Sequence, residues 1–105
     1  MDIQKIRFLC NDDCIEVTQH MLLRFQQRHI SYAEIKESIL NGEVIKEYPD
    51  DKPFPSCLIL GHTNRNRILH IVIGIAGDKL WFITAYEPDK SQWSEDLKTK
   101  KGECL

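Results

Sequence analysis

The chain has 105 residues, 42% of them hydrophobic and 29% charged, with a formal net charge of −2. That length suits a single domain over residues 1–105, and the composition is that of a globular rather than a disordered protein. No apolar run approaches the roughly 18 residues of a membrane span, so no membrane partner is expected.

A pI near 6.1 weighs against the basic footprint usual in proteins that grip nucleic acid. Arg24, Arg28, Lys46, Arg65 and Arg67 can nonetheless share one surface. Met1-Asp2-Ile3-Gln4-Lys5 lacks the basic start and apolar stretch of a signal peptide, so a cytoplasmic location is expected. Cys10, Cys14, Cys57 and Cys104 are then expected as reduced thiols. No nearby Cys-His pair completes a zinc set, and neither a metal nor a cofactor is expected.

Residues 3–10 present Ile3, Ile6, Leu9 and Cys10 on one side, a short helix, before the turn at Asn11-Asp12-Asp13. Thr18 caps a helix running to about Arg28, with Met21, Leu22, Phe25 and His29 on one arc and His20, Arg24 and Arg28 as a stripe along its edge. Ser31 and Glu34 form a capping box for a helix over about 32–41, Ile30 and Ile35 a hydrophobic staple, and Asn41-Gly42 a left-handed stop. Ile35 and Ile39 face the core.

The period then becomes two. Val44 to Tyr48 reads as a strand, and the proline-rich Pro49 to Pro55 as a stiff loop. Ser56 to His62, Ile68 to Ile75 and Leu80 to Tyr86 read as three further strands joined by turns at Thr63-Asn64-Arg65-Asn66 and Gly77-Asp78. Ser91 to Leu97 suggests a short helix with Trp93 packed back on the body. The expected fold is two-layer α+β, with the helices on one face of a four-stranded antiparallel sheet and the other face left for function or a partner.

No Gly-rich phosphate loop, zinc-protease helix or nucleophile elbow is present. What remains is a set of polar residues on apolar elements: His20, Arg24 and Arg28 on the helix; Lys46, Tyr48, Ser56, His62, His70, Thr84 and Tyr86 on the strands. Metal-free RNA cleavage needs a base for the ribose 2′-hydroxyl, cations for the phosphate and an acid for the leaving oxygen, roles suited to His, Arg, Lys and Tyr. The plainer readings are a solvated helix face for His20, Arg24 and Arg28, rim residues for the tyrosines, a hydrogen-bonded structural role for His70, and structural or exposed positions for His29 and His62.

Register decides between them. A two-residue turn at Gly77-Asp78 pairs Ala76 with Lys79 and His70 with Ala85, which separates His70 from Thr84 and Tyr86. One bulged residue brings the three to one face. It would also set Leu69, Ile71, Ile73 and Ile75 beside Trp81, Ile83 and Ala85 as a core face, and this form is favoured.

The order of short motifs resembles a bacterial family catalogued only as a domain of unknown function. The motifs are Thr18-Gln19-His20 with Arg24 and Arg28, Ile30-Ser31, Asn41-Gly42-Glu43, Tyr48-Pro49-Asp50-Asp51-Lys52-Pro53, Pro55-Ser56-Cys57-Leu58, Leu69-His70-Ile71-Val72, Ile83-Thr84-Ala85-Tyr86-Glu87-Pro88 and Trp93, covering about residues 17–95. That family is similar in pattern to the RelE, barnase and EndoU group of ribonuclease-like folds. The resemblance implies a toxin-like endoribonuclease with RNA as substrate and a small zinc-finger antitoxin as partner. It implies His20, Arg24, His70, Thr84 and Tyr86 as the site residues, expected to be catalytic; Arg28, Lys46, Tyr48 and Ser56 are expected to bind RNA or its phosphate. A monomer or weak homodimer is expected. The alternatives are a non-catalytic protein- or RNA-binding module on the same fold, and a protein that assembles through exposed strand edges.

Overall fold

A computed structural model describes residues 1–101; Cys104 lies outside them. The element order is α1 (Ile3–Leu9), β1 (Ile15–Glu16), α2 (Gln19–Gln27), α3 (Tyr32–Leu40), β2 (Glu43–Tyr48), β3 (Ser56–His62), β4 (Ile68–Ala76) and β5 (Lys79–Tyr86). The class is α+β, as the pattern predicts. Among the described residues the sheet has five strands rather than the expected four, in the order β1-β5-β4-β3-β2. The addition is β1, which pairs parallel to β5 through Ile15↔Leu80 and Glu16↔Trp81. Two residues are too few to show a period, so the sequence carries no sign of it. None of the described helices is long and apolar enough to cross a membrane.

The helices start where side chains can satisfy free backbone N–H groups. Asp2 accepts from Gln4 N, Thr18 from Met21 N, and Ser31 from Glu34 N, with the Glu34 carboxylate closing the box on Ser31 N. The end of α3 departs from expectation. Asn41 has φ −103°, so the stop is not left-handed. Gly42 is required for a steric reason, because a Cβ there would stand 2.5 Å from the Ser38 carbonyl oxygen and 2.7 Å from Ile59 Cγ2.

The helix-covered face of the sheet carries the main core: Cys57, Ile59, Leu69, Ile71, Ile73, Leu80, Phe82 and Ala85, packed with Ile6, Leu9, Phe25, Ile35 and Ile39. On α2 only Phe25 is fully buried; Leu22 is 42% exposed, and His29 lies past the helix end with φ 57° rather than on the core arc.

The opposite face is not open throughout. Residues 88–101 form turns and a bridge between Trp93 and Lys100 rather than the expected helix. They lay Trp93 and Leu97 over Leu58 in a second apolar cluster flanked by Ile45, Tyr48, Leu60 and Val72. At the other end of the same face the proline-rich loop sets Phe54 over Gly74, where a Cβ would meet the Phe54 ring at 2.3 Å, and against Trp81 at 5.9 Å between centroids.

Candidate functional site

Two β-bulges decide which polar side chains meet. In β5, Ala76 pairs with Lys79 and Ile73 with Phe82, as a two-residue turn requires, but Val72 pairs with Thr84 and His70 with Tyr86. Ile83 is therefore the extra residue, and the bulge lies in mid-strand rather than at the turn. Next to the turn Leu80 and Phe82 take the core positions, so the expected core row of Trp81, Ile83 and Ala85 is corrected to Leu80, Phe82 and Ala85. Trp81 turns to the opposite face, against Phe54.

A second bulge lies in β2. Val44 pairs with Ile59 and Lys46 with Leu58, which leaves Ile45 as the extra residue. Directly opposed residues of antiparallel strands share a face. The pairs Tyr48↔Ser56, Lys46↔Leu58, Leu58↔Val72, Leu60↔His70, Val72↔Thr84 and His70↔Tyr86 thus place Lys46, Tyr48, Ser56, His70, Thr84 and Tyr86 on one face. Without the bulges Lys46, Tyr48, Thr84 and Tyr86 would point into the helix-covered core.

His70 is fully buried. Its Nε2 stands 2.7 Å from the Leu97 carbonyl oxygen and its Nδ1 3.3 Å from the Tyr86 hydroxyl. Tyr86 and Trp93 both meet the ring edge-on, with centroids 5.4 and 4.4 Å away. Burial pushes the His70 imidazole below its ordinary pKa, partly opposed by the bond to Leu97. Burial likewise raises the Tyr86 phenol, as does the neighbouring Tyr48, while the Lys46 ammonium pulls it down. Tyr86, Tyr48 and Lys46 are therefore electrostatic neighbours.

The helix contributes Arg28, which reaches over the edge of β5. Its Nη1 donates to Thr84 Oγ1 at 3.1 Å and to the Ala85 carbonyl at 2.9 Å. Both acceptors are neutral, so they leave the guanidinium charge uncancelled. Arg24 is exposed one turn earlier on the same stripe, and His20 is exposed two turns earlier, about 12 Å along the helix axis. His20 is not brought to the Tyr86 group. His62 is exposed at the end of β3, its Nδ1 3.2 Å from the Thr63 carbonyl.

Two clefts of opposite character border the polar face. One, of about 600 Å³, is lined by Glu47, Tyr48, Pro49, Asp50, Asp51, Ser56 and Val72. There the buried Ser56 hydroxyl donates to Asp51 Oδ2 at 2.6 Å, and the Asp50 and Asp51 carboxylates repel a phosphate; Glu47 is ion-paired with the N-terminal ammonium. The other, of about 570 Å³, is lined by Arg28, His29, Ile30, Arg67, Tyr86 and Glu87. Arg67 is already ion-paired with Glu34 and Glu87, which leaves Arg28 as the cation of that cleft able to meet an anion.

The sequence reading did not identify Leu97, Asp51 or Arg67 as partners of these groups. Asp51 had a local signal, an acid in a turn five residues before a strand serine. Leu97 had none, because it acts through its main chain.

A family model described as a domain of unknown function (DUF4258) matches residues 17–87. No curated protein and no solved structure matches the chain.

Proposed function

We propose that this chain, which belongs to the DUF4258 family, is a toxin-like, metal-independent endoribonuclease domain on a fold of the RelE, barnase and EndoU kind. The observation that carries the reading is the pair of bulges at Ile45 and Ile83, which turn Lys46, Tyr48, Thr84 and Tyr86 to the sheet face that carries Ser56, His62 and His70, beside Arg28. Bulges are enriched next to active sites because they re-aim side chains at a cost in pairing.

RNA enters along the Tyr86 edge of that face. Arg28, Arg24 and Lys46 meet the phosphate, Thr84 orients Arg28, and Tyr48 stacks on a base. Ser56, held by Asp51, forms part of the wall of the Tyr48 cleft. The ribose 2′-oxygen bonds to phosphorus as the bond to the leaving oxygen breaks. The hydroxyl proton passes to the Tyr86–His70 pair, and Lys46 protonates the leaving oxygen. His20 lies outside this set and guides RNA along the helix. The domain stays in the cytoplasm as a monomer or weak homodimer, restrained by a small zinc-finger antitoxin.

The test is incubation of the purified protein with RNA in the presence of a chelator, alongside Tyr86→Phe and Arg28→Ala. Cleavage ending in a cyclic phosphate, lost in both variants, supports the reading. Absence of cleavage, together with no toxicity on expression in cells, removes it.

A second reading has its own observation. His70 is sealed beneath Trp93 and Leu97 with both ring nitrogens engaged, which suits a non-catalytic protein- or RNA-binding module. It predicts RNA retained without turnover.

A further inference from the structure

The hydrogen-bond series from Leu97 through His70 to Tyr86 has a direction. A main-chain carbonyl only accepts, so the His70 Nε2 at 2.7 Å from the Leu97 oxygen carries the proton. The ring is held neutral by burial, and a neutral imidazole protonated at Nε2 keeps its lone pair on Nδ1. Tyr86 Oη, 3.3 Å from that nitrogen, is then the donor. A phenol has one proton. With that proton turned inward, the Tyr86 oxygen presents only lone pairs to the surface. The ring cannot turn to offer its other edge, because Trp93 stands against it at 4.4 Å and Leu60 lies opposite on β3.

We propose that His70 is a positioning residue: fixed in one tautomer by the Leu97 carbonyl, it draws the Tyr86 proton inward and makes the Tyr86 oxygen an acceptor for a ligand hydroxyl. The identity of that hydroxyl rests on the RNA reading above; it is the ribose 2′-hydroxyl, which DNA lacks. Residues 88–101 are thereby part of the site, since Leu97 supplies the carbonyl and Trp93 the packing that set the polarity of Tyr86. A side-chain replacement at position 97 leaves that carbonyl in place, so the assignment has to be read at the ring itself.

The decisive measurement is the pair of ring-nitrogen shifts of His70 in the full chain at neutral pH, by two-bond proton–nitrogen correlation. A protonated Nε2 and a lone-pair-bearing Nδ1, the latter shifting in Tyr86→Phe, support the proposal. A proton on Nδ1, an averaged tautomer mixture, or an Nδ1 shift indifferent to Tyr86→Phe overturns it. Binding of RNA and DNA oligonucleotides of one sequence then tests the outward acceptor. The wild type is expected to favour RNA by roughly two- to ten-fold, the worth of one neutral hydrogen bond, and Tyr86→Phe to lose that margin. His70→Asn, whose amide oxygen can take the place of Nδ1, should keep part of it. An unchanged preference in Tyr86→Phe overturns the acceptor role. If the wild type binds neither oligonucleotide, the ribose assignment falls with the RNA reading, and the ring shifts still decide the direction of the hydrogen bonds.

Discussion

Trp93 stands edge-on to His70, the two ring centroids 4.4 Å apart at 86°. That contact, with the Leu97 carbonyl, keeps an imidazole out of water and below its ordinary pKa. Between that lowered value and about 6.5, its unfolded value, the unfolded chain binds more protons than the folded one. Stability is therefore complete above about pH 6.5, declines as pH falls through that window, and stops responding to His70 below the folded pKa. Asp12, Asp89 and Asp96 are all held below their ordinary values by hydrogen bonds, so they remain ionised through the upper part of this window. Urea midpoints measured between about pH 5 and pH 8 should show the slope. Trp93→Ala should flatten it by wetting His70, while losing about 3–5 kcal/mol of packing. A wild-type stability that does not fall below about pH 6.5 contradicts the assignment.

At the crossing of α3 and β3 there is no room for a Cβ. One on Gly61 would stand 2.0 Å from the Ser38 carbonyl oxygen and 2.6 Å from its carbon. Both are backbone atoms of a helix and cannot step aside, so Gly61→Ala should destabilise by about 2 kcal/mol or more. Ser38 behaves differently. Its hydroxyl is fully buried and has no partner among the described residues, and alanine is the better helix former. Ser38→Ala should be neutral or up to about 1 kcal/mol stabilising. Thermal unfolding of both variants checks the pair of signs.

Most strands were legible because runs rich in Leu, Ile and aromatics between turn residues mark them: β3 follows the expected Ser56–His62, and β4 and β5 each extend one residue beyond their expected limits. The Ser31–Glu34 capping box was equally plain, since its partners are three residues apart. What the sequence could not show depended on distant atoms. The need for a β5 bulge followed from the demand for one apolar face, but its position at Ile83 puts Leu80 and Phe82 in the core with Ala85 and Trp81 against Phe54, contacts with distant residues that a local pattern does not carry. Similarly, the cover over His70 comes from residues 88–101, whose turns carry no period, and its key atom is a main-chain oxygen.

Arg67 should matter more to stability than the other surface arginines. Its guanidinium donates to Glu34, to Glu87 and to the carbonyls of Arg28 and His29, joining the end of α2 to α3 and the end of β5. Arg67→Ala leaves two carboxylates without their cation and the Arg28 and His29 carbonyls without this donor, at about 1.5–3 kcal/mol. Arg67→Lys should recover less than half, because an ammonium cannot span the fork. Urea unfolding of the three proteins measures this, and full recovery by lysine contradicts it.

The thiols should separate by reactivity. Burial raises Cys10 and Cys57 to about 11, leaving little thiolate at neutral pH. Cys14 is half-buried. Under native conditions a thiol reagent should label Cys14 well before Cys10 or Cys57, with peptide mapping as the readout. Comparable rates at the three positions would mean that the core opens readily.

Arg28 separates stability from activity. Its two acceptors, Thr84 Oγ1 and the Ala85 carbonyl, are neutral and lie at the edge of β5, so losing them should cost about 1 kcal/mol or less of folding free energy. If this guanidinium also meets the phosphate of bound RNA, Arg28→Ala should lower kcat/KM for RNA cleavage by at least roughly ten-fold, equivalent to about 1.4 kcal/mol of transition-state stabilisation. Arg28→Lys keeps the charge but cannot serve Thr84, Ala85 and a phosphate oxygen together, so it should restore the salt dependence of binding more than the rate. Cleavage that survives Arg28→Ala unchanged, in a variant shown to be folded, would move the phosphate site away from the Tyr86 edge.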